Sequence, residues 1–277
     1  MDYAFPVSPG KKLSLSELDP GYCAGLEKEQ ALSEIAKLGE ELEDLQELHF
    51  AAATRSILIV IQGRDTAGKD GSIKTLLRYN NVQSTSVVPF KVPTAEELSH
   101  DYLWRIHKHT PPKGGVTIFN RSHYEDVLVV RVHDIVPKSV WSKRYDHIAD
   151  FERLLADNGT TILKFMLHIS KDEQEERLLA REEDPTKSWK LNPGDWKERE
   201  YWDAYTEAYE EALEKTSKDH APWLVIPSNK KWFRDLAILD MIVKTLRPFK
   251  EEWNAKLEKT ANEMKAELAE YRATIGK

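Results

Sequence analysis

The chain has 277 residues, of which 40% are hydrophobic and 31% are charged, and its formal net charge at pH 7 is −7. This length fits one large α/β domain or two small ones, no apolar stretch approaches the ~20 residues that span a bilayer, and the negative charge argues against general nucleic-acid binding. The single cysteine, Cys23, excludes an internal disulfide, and with an N-terminus that lacks a secretory pattern it favours a cytoplasmic location.

Strands and helices are predicted to alternate along the chain after an irregular arm rich in proline and glycine at residues 1–26. The predicted strands are 56–62, 87–90, 116–119, 160–169 and 223–227. The predicted helices are 27–54, 68–79, 94–109, 139–157, 171–183, 195–217, 230–246 and 249–275. This alternation predicts a doubly wound α/β fold, in which helices cover both faces of a five-stranded parallel sheet and ligands bind at the carboxyl ends of the strands.

A phosphate-binding loop is predicted at residues 63–71, directly after an apolar strand. Gly63 and Gly68 bracket four residues and Lys69 follows, which completes the pattern G-x-x-x-x-G-K, and Asp70 stands where Ser or Thr is usual. Glycines allow a tight turn with inward N–H groups, and the start of the next helix adds positive charge. The candidate phosphate-binding residues are Gly63, Ala67, Gly68, Lys69, Asp70 and Gly71. The alternative is an ordinary glycine turn with a surface lysine.

Carboxylates near the strand ends are candidate Mg²⁺ ligands. Arg121, Glu125 and Asp126 follow the strand at 116–119, and Asp65 lies inside the loop. Magnesium needs only one or two carboxylates beside phosphate oxygens and water. The alternative is that Glu125 and Asp126 merely begin a solvated segment.

Further cationic side chains are placed where they can neutralise phosphate charge. Lys74 and Arg78 share an exposed face of the loop helix, and Arg177 and Arg181 lie four residues apart beside the polar loop 182–192. An arginine-bearing segment that closes over phosphates would stabilise a transferring phosphoryl group. The candidates within the polar loop are Lys187, Trp189 and Lys190. Ordinary surface charge is the alternative for these cations.

Taken together, these motifs resemble the polyphosphate kinase 2 family over roughly residues 30–250. The matching segments are 63–71, 90–94, 100–105, 119–126, 184–190, 221–223 and 231–235. The resemblance implies a P-loop kinase fold similar to thymidylate kinase, and an enzyme that moves phosphoryl groups between inorganic polyphosphate and nucleotides with Mg²⁺, or with Mn²⁺ in its place. The implied organisation is a single domain over 1–277, with an N-terminal arm and helix at 1–54, a helical lid at 171–217 and a C-terminal helix at 249–277.

The resemblance also implies a role for each candidate residue. Those expected to act in transfer are Lys69, Asp65, Arg121, Asp126, Arg177 and Arg181. Those expected along the polyphosphate path are Lys74 and Arg78, and those expected at the nucleotide are Glu125, Lys187, Trp189 and Lys190. The expected metal ligands are Asp65, Glu125 and Asp126. Asn120 stands where some relatives have Asp, so that one strand-end carboxylate is missing from the metal set.

Glu125 resembles the subgroup that accepts both AMP and ADP. We therefore expect a reversible polyphosphate:AMP/ADP phosphotransferase that acts on adenine nucleotides, with guanine nucleotides as the alternative. The competing functions are an ATP-dependent nucleoside-monophosphate kinase, against which Asp70 argues, an ADP-only polyphosphate kinase, and a non-catalytic nucleotide sensor. No nucleic-acid or membrane partner is expected, and the family resemblance with the long terminal helix suggests a homo-oligomer, either a dimer or a tetramer.

Overall fold

In the computed structural model, which describes residues 2–276 apart from the side chains of Lys187, Ser188 and Lys190, the strands form one mixed sheet of six. They are β1 Phe5–Pro6, β2 Ser56–Gly63, β3 Thr85–Pro89, β4 Val116–Asn120, β5 Thr160–His168 and β6 Trp223–Pro227. Their spatial order is β1-β6-β5-β2-β4-β3, in which β1 is antiparallel to β6 and the other pairs are parallel.

The α-helices lie between and after these strands. They are α1 Lys28–Ala52, α2 Lys69–Leu76, α3 Ala95–Leu98, α4 Trp104–His107, α5 Val129–Val132, α6 Lys138–Trp141, α7 Arg144–Asp157, α8 Lys171–Glu183, α9 Pro193–Glu198, α10 Trp202–Thr216, α11 Lys231–Leu246 and α12 Lys250–Thr274. Short 3₁₀ helices occur at Leu15–Glu17, His123–Asp126, Pro185–Lys190, Arg199–Tyr201 and Arg247–Phe249.

The prediction of a purely parallel, five-stranded sheet is wrong in one respect. The arm at 1–26 contributes the sixth strand, in which Phe5 pairs with Val225 and Pro6 pairs with Leu224. A two-residue strand is too short to show the alternation by which strands are recognised. Proline is tolerated there because β1 is an edge strand, whose outer N–H groups pair with nothing in the sheet.

Helix boundaries differ from the prediction where side chains start a new helix. The helix predicted at 94–109 is two short helices, α3 and α4, because Asp101 Oδ1 accepts hydrogen bonds from the N–H groups of Leu103 and Trp104 at 3.0 and 3.1 Å. Likewise, the helix predicted at 139–157 is divided into α6 and α7, and the one predicted at 195–217 into α9, a 3₁₀ turn and α10.

Strand β2 lies in the middle of the sheet, and all eight of its residues are buried. Helices α1 and α11 pack on one face and α7 and α10 on the other, each with its own apolar cluster. The segments that follow β2, β4 and β5 therefore emerge side by side at the carboxyl edge. Within residues 2–276, no helix combines the length and the apolar character needed to cross a membrane.

A buried polar network supports the turn that follows β4. Lys164 on β5 donates to Glu152 Oε2 at 2.6 Å, to the Tyr124 hydroxyl at 2.8 Å and to the Thr216 carbonyl at 2.8 Å. His123 Nε2 lies 3.1 Å from the other oxygen of Glu152, and both charged side chains have no exposed surface. Burial alone would raise the pKa of Glu152, but Lys164 and His123 outweigh it and lower that pKa. The network thus joins β5, α7 and the 123–126 turn.

Removing one charge of this network should destabilise the protein strongly. We expect Lys164→Met to lower the free energy of unfolding by about 3–5 kcal/mol, because Glu152 then stays buried without its cation. The double variant Lys164→Met/Glu152→Leu should recover part of this loss, and exposed Lys37→Met should change it by less than about 0.5 kcal/mol. Urea unfolding measures all three, and a Lys164→Met protein as stable as the parent would contradict the assignment.

Candidate active site

The loop between β2 and α2 requires glycine at both ends. Gly63 has φ +156°, and a Cβ there would lie 2.9 Å from the Leu167 Cβ and 3.0 Å from the Leu167 carbonyl oxygen. Gly68 has φ +106°, and its Cβ would lie 1.7 Å from Arg234 Nη1. Side chains are excluded by space as well as by backbone conformation. The loop can therefore bring its backbone close to a phosphate, as predicted for a phosphate-binding loop.

Lys69 holds a buried ammonium group at the mouth of this loop. Its side chain is 9% exposed, and Nζ donates to the carbonyl oxygens of Gly63 at 2.7 Å and Arg64 at 3.1 Å. Burial, assisted by the nearby charge of Arg121, lowers the pKa of Lys69 to about 8, although Asp65 and other carboxylates oppose the shift. An incoming phosphate would supply the negative charge that this ammonium lacks.

Arg121 joins two of the predicted carboxylates. Directly after β4 it adopts φ +62°, and its Nη2 lies 2.7 Å from Asp65 Oδ1 while Nη1 lies 3.4 Å from Glu125 Oε2. Although burial opposes it, the charges of Glu125 and Asp65 raise the pKa of Arg121 above its ordinary value. The guanidinium is 40% exposed and faces the cleft beside the loop.

Asp126 is placed differently. Its Oδ1 lies 2.9 Å from Arg144 Nη1, which also donates to the Asp126 carbonyl at 3.0 Å. Burial raises the pKa of Asp126 to about 6 against the opposing charge of Arg144. Asp65 and Arg121 line the cleft, and Glu125 lines only a smaller pocket beside it. Asp126 lines neither, so Arg121 brings Asp65 and Glu125 together but not this third carboxylate.

The carboxylates fit a metal ion only if substrate supplies most of its ligands. Across residues 2–276, no group of three or more His, Cys, Asp or Glu side chains is arranged to hold a metal. Asp65 and Glu125 are 26% and 16% exposed, and Asp70 Oδ1 accepts a hydrogen bond from Asn120 Nδ2 at 2.9 Å. One or two carboxylates with phosphate oxygens and water are the usual surroundings of Mg²⁺.

Arg177 fixes the base of α8 to the loop. Its Nη1 donates to the Thr66 carbonyl at 2.9 Å, and its Nη2 donates to the carbonyls of Ser228 at 2.6 Å and Asn229 at 2.8 Å. Arg181, one turn further on, pairs with Asp195 Oδ2 at 2.7 Å and so bridges α8 to α9. Both arginines line the cleft as predicted, but Arg177 mainly holds backbone.

The remaining sequence candidates lie at the rim or outside the cleft. Trp189 is 77% exposed and lines the rim. Lys74 is exposed on α2, as predicted, but α2 ends at Leu76, so Arg78 is exposed in the turn that follows and not on the loop helix. Neither residue lines the cleft. The side chains of Lys187 and Lys190 lie outside the described part of the structure, so their predicted contact with nucleotide remains a prediction.

Sequence reasoning missed Arg234, a cleft residue from the far end of the chain. Its guanidinium is nearly buried and donates from Nε and Nη2 to Asp235 Oδ1 at 2.8 and 2.7 Å. Asp235 in turn accepts hydrogen bonds from Ser72 at 3.1 Å and Thr75 at 3.0 Å on α2. The segment 231–235 contributed to the family resemblance, but only the strand order shows that it reaches the loop.

These side chains surround a cleft of about 790 Å³. The cations that line it are Lys69, Lys91, Arg121, Arg177, Arg181, Lys231 and Arg234. The acidic residues that line it are Asp65, Asp70, Glu173, Glu176 and Asp195. Its size suits a small molecule, and cations concentrated around a phosphate loop suit one that carries several phosphates.

Comparison with known proteins agrees with this chemistry. A family model described as Polyphosphate kinase 2 (PPK2) matches residues 25–253. The chain is 50% identical over 244 residues to the AMP/ADP-polyphosphate phosphotransferase of Meiothermus ruber. This alignment covers 87% of this chain and 91% of that protein. It is also 41% identical over 263 residues to the ADP-polyphosphate phosphotransferase of Rhodopseudomonas palustris, in an alignment that covers 89% of this chain and 90% of that protein.

The fold also matches a solved structure. The crystal structure of polyphosphate kinase 2 from Arthrobacter aurescens TC1 gives a TM-score of 0.84 at 40% sequence identity. The match covers 90% of this chain and 93% of that chain. The similarity of fold therefore extends over most of the chain.

The lowered pKa of Lys69 predicts how phosphate binding depends on pH. As the pH rises through about 8 the ligand-free protein loses the Lys69 charge, so the affinity for polyphosphate, measured by calorimetry, should fall. Lys69→Arg keeps its charge over this range and should weaken binding overall but remove the decline. If the affinity of Lys69→Arg for polyphosphate fell equally as the pH rises, the decline would have to be assigned to a group other than Lys69.

Proposed function

Because the chain belongs to the polyphosphate kinase 2 family, we propose that it transfers phosphoryl groups reversibly between inorganic polyphosphate and the nucleotides AMP and ADP. The observation that carries the proposal is the buried ammonium of Lys69 at a phosphate loop, inside a cleft lined by arginines. A terminal phosphate oxygen of the nucleotide attacks the terminal phosphorus of polyphosphate. The bond from that phosphorus to the bridging oxygen breaks, the nucleotide gains one phosphate, and polyphosphate leaves one unit shorter.

Such a reaction needs positioning and charge stabilisation more than covalent help from the protein. Lys69 and the loop N–H groups would hold the transferring phosphate, and Arg121 would face its equatorial oxygens from the end of β4. Arg234 presents a further cation beside the loop, because Asp235 fixes its guanidinium next to Gly68 and Gly71. Fixed cations of this kind stabilise the transition state without having to reorganise.

A divalent cation, Mg²⁺ or Mn²⁺, would neutralise phosphate charge when it is bound with substrate. Asp65 and Glu125 are the carboxylates that fit it, because both are partly exposed next to the loop. Their shared partner Arg121 keeps them close together before substrate arrives. Asp126 is left out of this set because its carboxylate pairs with Arg144 and lines neither the cleft nor the pocket beside it.

We also propose a fold type and a cellular location for the protein. The sheet order and the loop after its central strand support a P-loop kinase architecture of the thymidylate-kinase type. The single cysteine supports a reducing cytoplasm as the location.

The experiment that tests the proposal varies donor and acceptor independently. The purified protein is incubated with Mg²⁺, with AMP or ADP as acceptor, and with long-chain polyphosphate or ATP as donor. We expect polyphosphate to convert AMP to ADP and ADP to ATP. Lys69→Ala should lower both rates by about 100-fold, because one fixed contact to the moving charge is lost, whereas exposed Lys37→Ala should retain them.

Each other pattern identifies a competing function. Phosphorylation of AMP by ATP alone would identify a nucleoside-monophosphate kinase. Phosphorylation of ADP but not AMP would identify an ADP-only enzyme. No transfer from either donor, with nucleotide still bound, would identify a sensor.

The two positions of the carboxylates predict different metal effects. Asp65→Asn should raise the Mg²⁺ concentration needed for half-maximal rate, because its carboxylate borders the cleft. Asp126→Asn is the matched control and should leave that concentration unchanged, because its carboxylate pairs with Arg144. Initial rates measured over a range of Mg²⁺ concentrations distinguish the two cases. If only Asp126→Asn raised the Mg²⁺ concentration for half-maximal rate, Asp126 and not Asp65 would be the metal ligand.

A further inference from the structure

Arg121 has a backbone conformation that an arginine rarely adopts. Its φ of +62° lies in the left-handed region, where the Cβ of an L-residue comes close to the following carbonyl oxygen. Such a conformation is unfavourable and persists only where the surrounding structure holds it. With this backbone, the guanidinium contacts both Asp65 and Glu125. Whatever holds the backbone of Arg121 therefore also sets the position of its side chain.

Two successive residues at the end of β2 hold the chain around Arg121. The carbonyl oxygen of Ile61 accepts a hydrogen bond from the Arg121 N–H at 3.1 Å. Nε2 of the next residue, Gln62, donates to Ser122 Oγ at 3.0 Å. Gln62 and Ser122 have no exposed surface, so bulk water does not compete for this bond. The end of the central strand thus fixes both Arg121 and the residue that follows it.

Ser122 extends this constraint to the turn that carries Glu125. Its Oγ accepts a second hydrogen bond, from the Tyr124 N–H at 3.2 Å, and so caps the 3₁₀ helix His123–Asp126. A serine oxygen has two lone pairs and can accept both bonds at once. One buried hydroxyl therefore joins the central strand to the segment that holds both Arg121 and Glu125.

Stability alone does not account for a glutamine at position 62. The five residues before it, 57–61, are all apolar and buried. Within the described residues, Oε1 of Gln62 has no hydrogen-bond partner, and a buried polar atom without a partner is destabilising. A methionine, which is flexible and apolar, would fill this space without such an atom. A role for Gln62 at the site would explain the destabilising amide.

We propose that Gln62 and Ser122 are positioning residues for phosphoryl transfer, which hold Arg121 in its left-handed conformation and thereby direct its guanidinium toward the transferring phosphate. Neither residue lines the cleft, so both act through Arg121 rather than on substrate. The effect on rate rests on the proposed function, whereas the effect on geometry can be measured without turnover.

The first test replaces the glutamine with an apolar side chain. Gln62→Met removes the unpartnered amide oxygen and the bond to Ser122, whose Oγ still accepts from Tyr124. The free energy of unfolding in urea should therefore stay the same or rise. With polyphosphate as donor and ADP as acceptor, kcat should fall about tenfold because Arg121 is misplaced, while KM for ADP should change less than about twofold. Parental kcat in a folded Gln62→Met protein would overturn the proposal.

Ser122→Ala removes the same bond from the other side, and Ser56→Ala is its matched control. Ser56 lies at the opposite end of β2, where its Oγ is 2.9 Å from Thr160 Oγ1 and both side chains are buried. Each serine substitution should lower the free energy of unfolding, because each removes a buried hydrogen bond. Only Ser122→Ala should also lower kcat, by about tenfold. An equal loss of kcat in Ser56→Ala would reduce the effect to general destabilisation and contradict a positioning role.

The second test asks whether Gln62 acts through Arg121. Arg121→Ala should lower kcat about 100-fold, because a fixed cation is lost from the transition state. In that background, Gln62→Met should change kcat by less than about twofold, because no guanidinium is left to misplace. If Gln62→Met lowered kcat about tenfold in both backgrounds, it would act on a group other than Arg121, and the proposal would be wrong.

The third test measures the geometry without turnover. Crystal structures of Gln62→Met and Ser122→Ala should show Arg121 outside the left-handed region, with its guanidinium no longer bonded to Asp65. If Arg121 kept a φ near +62° and its bond to Asp65 in both variants, other contacts would hold it and the proposal would fail. A parent protein that transferred no phosphate would contradict the proposed function, and these structures would still decide whether Gln62 and Ser122 position Arg121.

Discussion

The site depends on one constraint, the burial of a lysine ammonium at the end of the central strand without a carboxylate bonded to it. Desolvation lowers the pKa of Lys69 to about 8, and only backbone carbonyls contact Nζ in the described structure. A group in this condition gains more from an anionic ligand than an exposed lysine would. The loop around it has to stay narrow, which explains why Gly63 and Gly68 have no room for a side chain.

The charges around this lysine are arranged in pairs that can exchange partners. Arg121 is shared between Asp65 and Glu125, and Arg234 is held by Asp235. An arginine presents several donors in a planar fork, so it can keep one bond to a carboxylate and give another to phosphate. The carboxylates thus position the arginines before substrate binds, and they limit the repulsion between several cations crowded around the loop.

The sequence was most informative where structure is set locally. The phosphate loop depends on residues within nine positions of one another, and the positions of its strand and helix were predicted closely. The role of Arg234 could not be predicted, because its contact with Gly68 depends on β6 lying two strands from β2. The orientation of the Asp126 side chain also could not be predicted, because it is set by the 3₁₀ turn at His123–Asp126 and by Arg144 on α7.

The segment 171–217 was predicted as one lid, but its contacts divide it. At the base of α8, Arg177 binds the Thr66 carbonyl, and Gln174 Nε2 donates to the Asp65 carbonyl at 3.0 Å. These bonds fix the first part of α8 to the phosphate loop itself, and moving it would break the loop. Beyond Arg177 the contacts differ along the segment: Arg181 pairs with Asp195 on α9, whereas α10 packs into the core, where Tyr209 and Leu213 are buried. We therefore expect any closure over bound phosphates to involve the part between Arg177 and α10, which would make Arg181, rather than Arg177, the arginine of α8 that can approach the transferring group.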